Sequence, residues 1–268
     1  MKEEVGDLRG KIRESAVRLL GRLYRIIESQ EEVATRSLVD SLQKQEILEN
    51  LLEQSKLVRL PGSEQLHYLL ATPFRYPPLP WGSRFGGTAE SGIFYGSKTI
   101  DTVLIEAAYY RLLFINDMHE APAAPVASFH QIFSAKYCAD PGVRLQSETW
   151  RHHWPQLTHP SQYGFCQTLG AQMRESNVQG VEAFSARALM AGICELPSSG
   201  GGVGGEGINV ALFDPATLLP RAPTIEAEVT AETTIEGISF LVKSGNSVST
   251  TTFEKSVFLA SGTLPLPA

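Results

Sequence analysis

Gly92-Ile93-Phe94-Tyr95-Gly96-Ser97 leads through Lys98 into Thr99-Ile100-Asp101-Thr102-Val103-Leu104-Ile105-Glu106. The first stretch reads as a short strand, and Thr99 or Asp101 supplies the N-cap of a helix that runs to about residue 115. A strand that turns at once into a capped helix indicates mixed packing of sheet and helix. On the strand, Phe94 and Tyr95 point to opposite faces, one to the core and one free for a cleft, and tyrosine is the better cleft resident. On the helix, the neighbours of Glu106 at three and four residues (Thr102, Val103, Tyr109, Tyr110) and Leu113 beyond them make a mostly apolar face. A carboxylate there is costly to bury unless something pairs with it. Either Arg84 or Arg111 supplies that charge, or Glu106 is an acid held in a half-dry cleft, able to stabilise developing positive charge or anchor a sugar hydroxyl.

Upstream, Pro73, Pro77, Pro78 and Pro80 precede Gly82, Gly86 and Gly87. Such a composition predicts neither helix nor central strand over 73–87. Phe74, Tyr76, Trp81, Arg75 and Arg84 are unusual for a plain linker, so the stretch reads as an ordered binding loop. Arg84, Tyr95 and Glu106 stand at equal intervals of eleven residues. A cation, an aromatic and an acid delivered by a loop, a strand and a helix can build one site for an anionic ligand.

Further toward the N-terminus, Leu8, Ile12, Leu19, Leu20, Leu23, Ile26 and Ile27 recur at helical intervals and predict a helix over 7–28. Leu38, Leu42, Ile47, Leu48, Leu51 and Leu52 predict a second over 36–55, ended by Pro61-Gly62. Residues 1–62 thus read as an N-terminal helical segment. Downstream, 117–180 carries no legible period. Residues 181–191 read as a helix, and Ile193–Leu196 and Ile208–Phe213 as strands flanking a glycine-rich loop. From Thr224 the pattern is β-like over 225–230, 234–242 and 253–259. The fold class is α+β: a mixed β core with surrounding helices, preceded by helices.

Several chemistries find no support. Gly202-Val203-Gly204-Gly205-Glu206-Gly207 matches GxGxxG, but a strand follows where a dinucleotide fold needs a helix, and the Lys-Ser/Thr ending of a P-loop is missing. The loop is either a flexible connection or a backbone cradle for phosphate. His119-Glu120 has Ala123 where a zincin needs histidine, and His152, His153 and His159 have no carboxylate or cysteine at matching spacing, so no metal site is expected. Ser198 lacks the GxSxG elbow of a hydrolase.

Composition sets the outer bounds. The chain has 268 residues, 43% of them hydrophobic, enough for one large packed domain or a domain with an appendage. Its net charge is −6 and its basic residues form no cluster, which disfavours nucleic acid. Cys138, Cys166 and Cys194 form no CxxC pair and read as reduced thiols. No apolar run reaches about 18 residues, so no membrane span is expected. Met1-Lys2-Glu3-Glu4-Val5 is unlike a signal peptide, and a cytoplasmic location is the expectation.

From about Leu69 to Phe213 the chain resembles the RES-domain family. Phe74-Arg75-Tyr76 is similar to its opening arginine motif, and Gly82-Ser83-Arg84-Phe85 to its glycine-arginine-aromatic motif. Phe94-Tyr95-Gly96-Ser97 and Val103-Leu104-Ile105-Glu106 resemble its tyrosine and glutamate motifs. Ala186-Arg187 with Gly192 leads into Leu196-Pro197-Ser198, similar to a proline-serine motif in which Ser199 is the other candidate serine, and Asn209–Phe213 resembles the closing strand. The resemblance implies an ADP-ribosyltransferase-like catalytic domain over 63–268 with a β-rich C-terminal extension. It implies a bacterial toxin that degrades NAD+ at the nicotinamide–ribose bond, with phosphate or water as acceptor; transfer of ADP-ribose to a protein is the alternative. NAD+ is then substrate rather than cofactor, and inorganic phosphate a possible co-substrate. Arg84, Tyr95, Glu106 and Ser198 would be catalytic, and Arg75, Tyr76, Arg84, Tyr95, Ser198 and Asn209 would bind the dinucleotide. The implied partner is a helix-turn-helix antitoxin of the Xre type, with a homo-oligomer possible.

Overall fold

A computed structural model describes residues 6–29, 41, 43, 44, 46–48, 51, 60–76, 79–197 and 205–267. In chain order the elements are α1 (Arg9–Glu14), β1 (Ala16–Glu28), α2 (Tyr68–Arg75), β2 (Phe94–Ser97), α3 (Ile100–Asn116), β3 (Val126–Arg144), α4 (Trp154–Leu157), α5 (Gly164–Glu175), β4 (Gly180–Phe184), α6 (Ala186–Met190), β5 (Ile208–Leu212), β6 (Thr224–Thr233), β7 (Gly237–Ser244) and β8 (Ser247–Glu254). The sheet order is β1-β2-β5-β4-β3-β6-β7-β8, and β1 also pairs with β3. That extra pairing closes β1, β2, β5, β4 and β3 into a barrel, from which β6, β7 and β8 extend as an antiparallel wing. β3 makes this possible by its length: its first half pairs with β6, its last residues run parallel to β4, and β1 lies along it from Ala16↔Val143 to Glu28↔His130.

The barrel interior holds Leu19, Leu23, Phe94, Phe133, Tyr137, Val210 and Leu212, with Leu70 and Phe74 of α2 packed on them. Each fully buried leucine or phenylalanine there contributes about 1.5–3 kcal/mol. α3 lies between barrel and wing: Leu104, Ile105, Ala108 and Leu112 meet Ile132, Ala227, Val229, Ile238 and Phe240. Its N-cap is Thr99, whose side chain accepts from the Thr102 N–H. A third core joins Trp150, Trp154 and Leu169 to Val181 and Ala183 of β4. The class is α+β, as the sequence indicates.

The helix expected over 7–28 is corrected: only Arg9–Glu14 is helical, and Ala16–Glu28 is a strand. Leu19 and Leu23 are both fully buried, and a spacing of four is one helical turn or two strand pleats. Leu20 breaks the tie, being 61% exposed where a helical stripe would bury it. Of the expected helix over 36–55, residues 43, 44, 46–48 and 51 are helical, Ser41 is a bend, and the rest lies outside the described residues. The loop expected over 73–87 begins later than its prolines suggest. α2 runs through Arg75 with Pro73 inside its last turn, where a lost N–H interrupts little of the helix. The helix expected over 181–191 is a strand to Phe184 and then a short helix. All five β4 residues are buried, so no amphipathic period distinguishes it. No strand forms at Ile193–Leu196, which turns instead, whereas Ile208–Leu212 is a strand. The first two wing strands follow the expected pattern, except that Thr234–Glu236 forms the turn before β7. The third is corrected: β8 spans Ser247–Glu254 and only its last two residues fall in the expected 253–259, where Lys255–Phe258 is a turn of 3-10 helix.

Candidate active site

The outer face of β2, β5 and β4 carries Tyr95, Asn209, Ala211 and Ala183, and α3 crosses it with Glu106. Between them opens a cavity of about 430 Å³, walled further by Tyr24 and Arg25 of β1, by Trp81 and Arg84 of the loop before β2, and by Tyr163. Strand register sets much of this geometry, because Ser97 and Asn209 are direct partners across β2 and β5, and Asn209 faces Ala183 across β4.

Glu106 Oε1 accepts two hydrogen bonds, from Ser185 Oγ at 2.7 Å and from Asn209 Nδ2 at 2.5 Å. Among the described residues no cation forms an ion pair with it, neither Arg84 nor Arg111. The expected burial cost is met by neutral donors, so the negative charge stays available to a ligand, and Oε2 takes no hydrogen bond from the described residues. The donors are themselves held. Ser185 is the N-cap of α6 and accepts from the Ala188 N–H at 3.0 Å, while Asn209 Oδ1 accepts from Ser97 Oγ at 2.7 Å.

Arg84 sits in a loop of two tight turns, closed by the Leu79↔Gly82 and Ser83↔Gly86 bridges. Gly82 allows this with φ +77°, and a Cβ there would stand 2.5 Å from the Gly86 oxygen. Arg84 Nη1 donates to the carbonyls of Leu157 and His159 at 3.1 and 3.0 Å, and its guanidinium lies 4.5 Å from the Tyr163 ring centre. Burial works against its charge, but Tyr163, Cys166 and Glu106 outweigh it and hold the group above its ordinary value. Arg84 is therefore a fixed cation that also ties down the loop bearing Tyr163.

Tyr95 does structural work in the same place. Its hydroxyl pairs with Ser83 Oγ at 2.9 Å and accepts from the Phe85 N–H at 3.0 Å, so it fastens the residues on both sides of Arg84. Burial pushes it up to about 12, and it stays protonated across the physiological range.

Among the residues of this site that the sequence does not single out are Arg25, Ser185 and Ser97, besides the wall residues Tyr24 and Tyr163. Arg25 lines the cavity, donates to the Tyr95 carbonyl at 2.6 Å and lies 5.3 Å from the Phe94 ring centre. Burial pushes it down to about 10, and among the described residues no carboxylate pairs with it. Period two puts Arg25 on the inward face with Leu19 and Leu23, so nothing in the sequence pointed it to the cavity; it reaches the cavity's edge beside Phe94 and the Tyr95 carbonyl. Ser185 was hidden by drawing a helix across its own cap, although serine before Ala-Arg-Ala is an N-cap signature. Ser97 had no signal of its own.

Of the residues expected at the site, Arg84, Tyr95, Glu106 and Asn209 come together around the cavity. Arg75 and Tyr76 stand at the end of α2 and are not among its lining residues. Ser198 and Ser199 lie outside the described residues. No metal-competent group of three or more His, Cys, Asp or Glu occurs among the described residues, and no helix there is long and apolar enough to cross a membrane.

None of the curated proteins matches this chain. The family model described as the RES domain matches residues 56–231, beginning after β1 and ending within β6. With about two thirds of its length so matched, and with the glutamate, arginine and tyrosine motifs gathered on one cavity, the chain belongs to the RES-domain family.

Proposed function

We propose that the protein degrades NAD+ by cleaving the nicotinamide–ribose bond, with phosphate or water as acceptor, as the toxin of a pair whose antitoxin is of the helix-turn-helix Xre type. The RES family is associated with NAD-acting enzymes and with toxin–antitoxin systems, which supports the general class. The observation that carries the specific reading is Glu106: a carboxylate with one oxygen saturated by neutral donors and the other without a hydrogen bond from the described residues, in a cavity also lined by two half-buried arginines, Arg25 and Arg84.

The chemistry follows from that arrangement. Breaking the glycosidic bond sends its electron pair to the nicotinamide ring, which leaves neutral because it began as a cation. No general acid is needed. Positive charge develops on the ribose anomeric carbon and ring oxygen, and a fixed carboxylate nearby lowers the barrier. Glu106 Oε2 supplies that charge and accepts from a ribose hydroxyl. An acceptor oxygen, from water or phosphate, then bonds to the anomeric carbon, and water gives up its proton to solvent. Arg25 and Arg84 hold pyrophosphate or the acceptor phosphate. Tyr95 acts by fixing the Arg84 loop.

The test is NAD+ turnover by purified protein with and without phosphate, beside Glu106→Gln, with products resolved by mass. The expected result is nicotinamide from the wild type alone, with phosphorylated ADP-ribose when phosphate is present and free ADP-ribose when it is absent. No turnover by folded, antitoxin-free protein would overturn the reading, and a mass gain on an added protein would redirect it to ADP-ribosyl transfer.

A further inference from the structure

Glu106 is held by a chain of side chains whose polarity is determined from one end. A carboxylate only accepts hydrogen bonds. Asn209, 2.5 Å from Glu106 Oε1, must therefore present its NH2 to it. The amide is rigid, so its oxygen points the other way, toward Ser97 at 2.7 Å. An amide oxygen also only accepts, so Ser97 must donate. With the amide turned over, two acceptors would face each other at Glu106. Ser97 is only 3% exposed, so water does not readily replace its hydroxyl.

The backbone keeps this chain in line. Ser97 and Asn209 are direct register partners at the end of β2. The next residue continues the pairing, with Lys98 N–H donating to the Ile208 carbonyl at 2.9 Å. The Lys98 ammonium then meets the buried carboxylate of Glu182 at 3.2 Å, on the opposite side of the sheet from the cavity. Ser97 thus sits on an anchored strand end.

We propose that Ser97 is a positioning residue: it locks the Asn209 amide in the orientation that donates to Glu106, and so fixes which carboxylate oxygen faces the cavity. Its catalytic consequence rests on the reading of Glu106 as the acid that meets the ribose; the lock itself does not. Ser97 also lines the cavity, but its hydroxyl is engaged by Asn209. Its hydroxyl lies one residue removed from the reacting centre and acts through Asn209.

Two readouts on the full chain test this, one free of catalysis. In protein isotope-labelled at asparagine, the Asn209 side-chain amide is identified as the signal lost in Asn209→Ala. The wild type is expected to show a slowly exchanging, well-separated proton pair. Ser97→Ala is expected to raise its exchange about tenfold and Ser97→Thr to restore it. In nicotinamide release, Ser97→Ala is expected to lower kcat about five- to tenfold with KM changed less than about twofold. Ser97→Thr recovers the rate, and Ser97→Ala costs nothing further in an Asn209→Ala background. An Asn209 signal unchanged by Ser97→Ala would overturn the lock. A loss undiminished by Asn209→Ala would overturn its action through that residue. Should the wild type release no nicotinamide, the proposed function fails and the exchange measurement still decides the lock.

Discussion

Ser185 does two jobs with one hydroxyl: its oxygen caps α6 by accepting from the Ala188 N–H at 3.0 Å, and its proton goes to Glu106 Oε1 at 2.7 Å. The start of a helix and the orientation of the site carboxylate are therefore coupled. Ser185→Ala is expected to cost about 0.5–2 kcal/mol of stability through the lost cap. It should also lower kcat for nicotinamide release, because Glu106 loses one of two fixed donors. Ser185→Thr keeps both bonds and should sit near wild type. Thermal melts and turnover on the same preparations separate the effects; a stability loss with unchanged kcat would mean that Ser185 only caps.

Arg25 has the opposite balance. It is a half-buried cation with no carboxylate partner among the described residues, and loss of solvent around it lowers it to about 10. A group held below its unfolded value while still charged works against folding. Such a cation is retained for what it binds. Arg25→Met is therefore expected to melt no lower than wild type while losing about tenfold or more in kcat/KM for NAD+. A marked drop in melting temperature with unimpaired turnover would make Arg25 a structural residue instead. Because β1 precedes the matched family span, deleting residues 1–29 should likewise abolish turnover, though there the loss of barrel pairing contributes too.

The fold class was legible, the elements near the N-terminus less so. Arg84, Tyr95 and Glu106 stood out because a cation, an aromatic and a carboxylate carry chemical meaning wherever they stand, Asn209 stood out through the family resemblance, and the four line one cavity. The element that carries Arg25 was misread: Leu19 and Leu23 fit both periods, and only the exposed Leu20 shows which one holds. The same ambiguity hid β4, whose five residues are all buried and so show no alternation. Arg75 drew attention in a proline-rich stretch, yet α2 extends over it and sets it away from the cavity walls. Ser97 was invisible for another reason: its role is set by the partner that strand register brings to it, which neighbouring residues in the chain do not reveal. The cap of Ser185 was legible from Ala-Arg-Ala after it, but not its bond to Glu106.

The wing side of the barrel makes a pH prediction. His130 on β3 pairs with Ser128 Oγ at 2.8 Å, and both are buried. Burial lowers its affinity for a proton below the ordinary 6.5, and Arg111 of α3 lowers it further against a small opposing effect of Glu28. In this case the unfolded chain binds the proton more readily than the fold. The stability associated with a neutral His130 is present above 6.5 and is lost as pH falls through the lower folded value. Melting temperature should accordingly decline between about pH 7 and about pH 5, and His130→Gln should flatten that decline. An equally steep decline in the variant would assign it to other groups, such as His153 and His159, which burial also lowers.

Gly170 sets two physical effects against each other with opposite signs. It lies inside α5, where alanine is worth about 1 kcal/mol more than glycine on helix propensity alone. Its missing Cβ, however, would stand 2.1 Å from the carbonyl oxygen of Phe85, too close for any side chain. The strain cannot be relieved by a rotamer change, because the clashing atom is backbone. It is relieved either by α5 withdrawing or by moving the segment that Tyr95 fastens at Ser83 and Phe85, with Arg84 between them. Gly170→Ala is therefore expected to destabilise by about 1–3 kcal/mol, as overpacking does. It should also lower kcat/KM for NAD+, because Arg84 shifts from its carbonyl partners on the Tyr163 loop. Denaturant melts and nicotinamide release on the variant decide between the two effects. A gain in stability with normal turnover would show that α5 can withdraw from the Phe85 segment, and that the close approach is not what places Arg84.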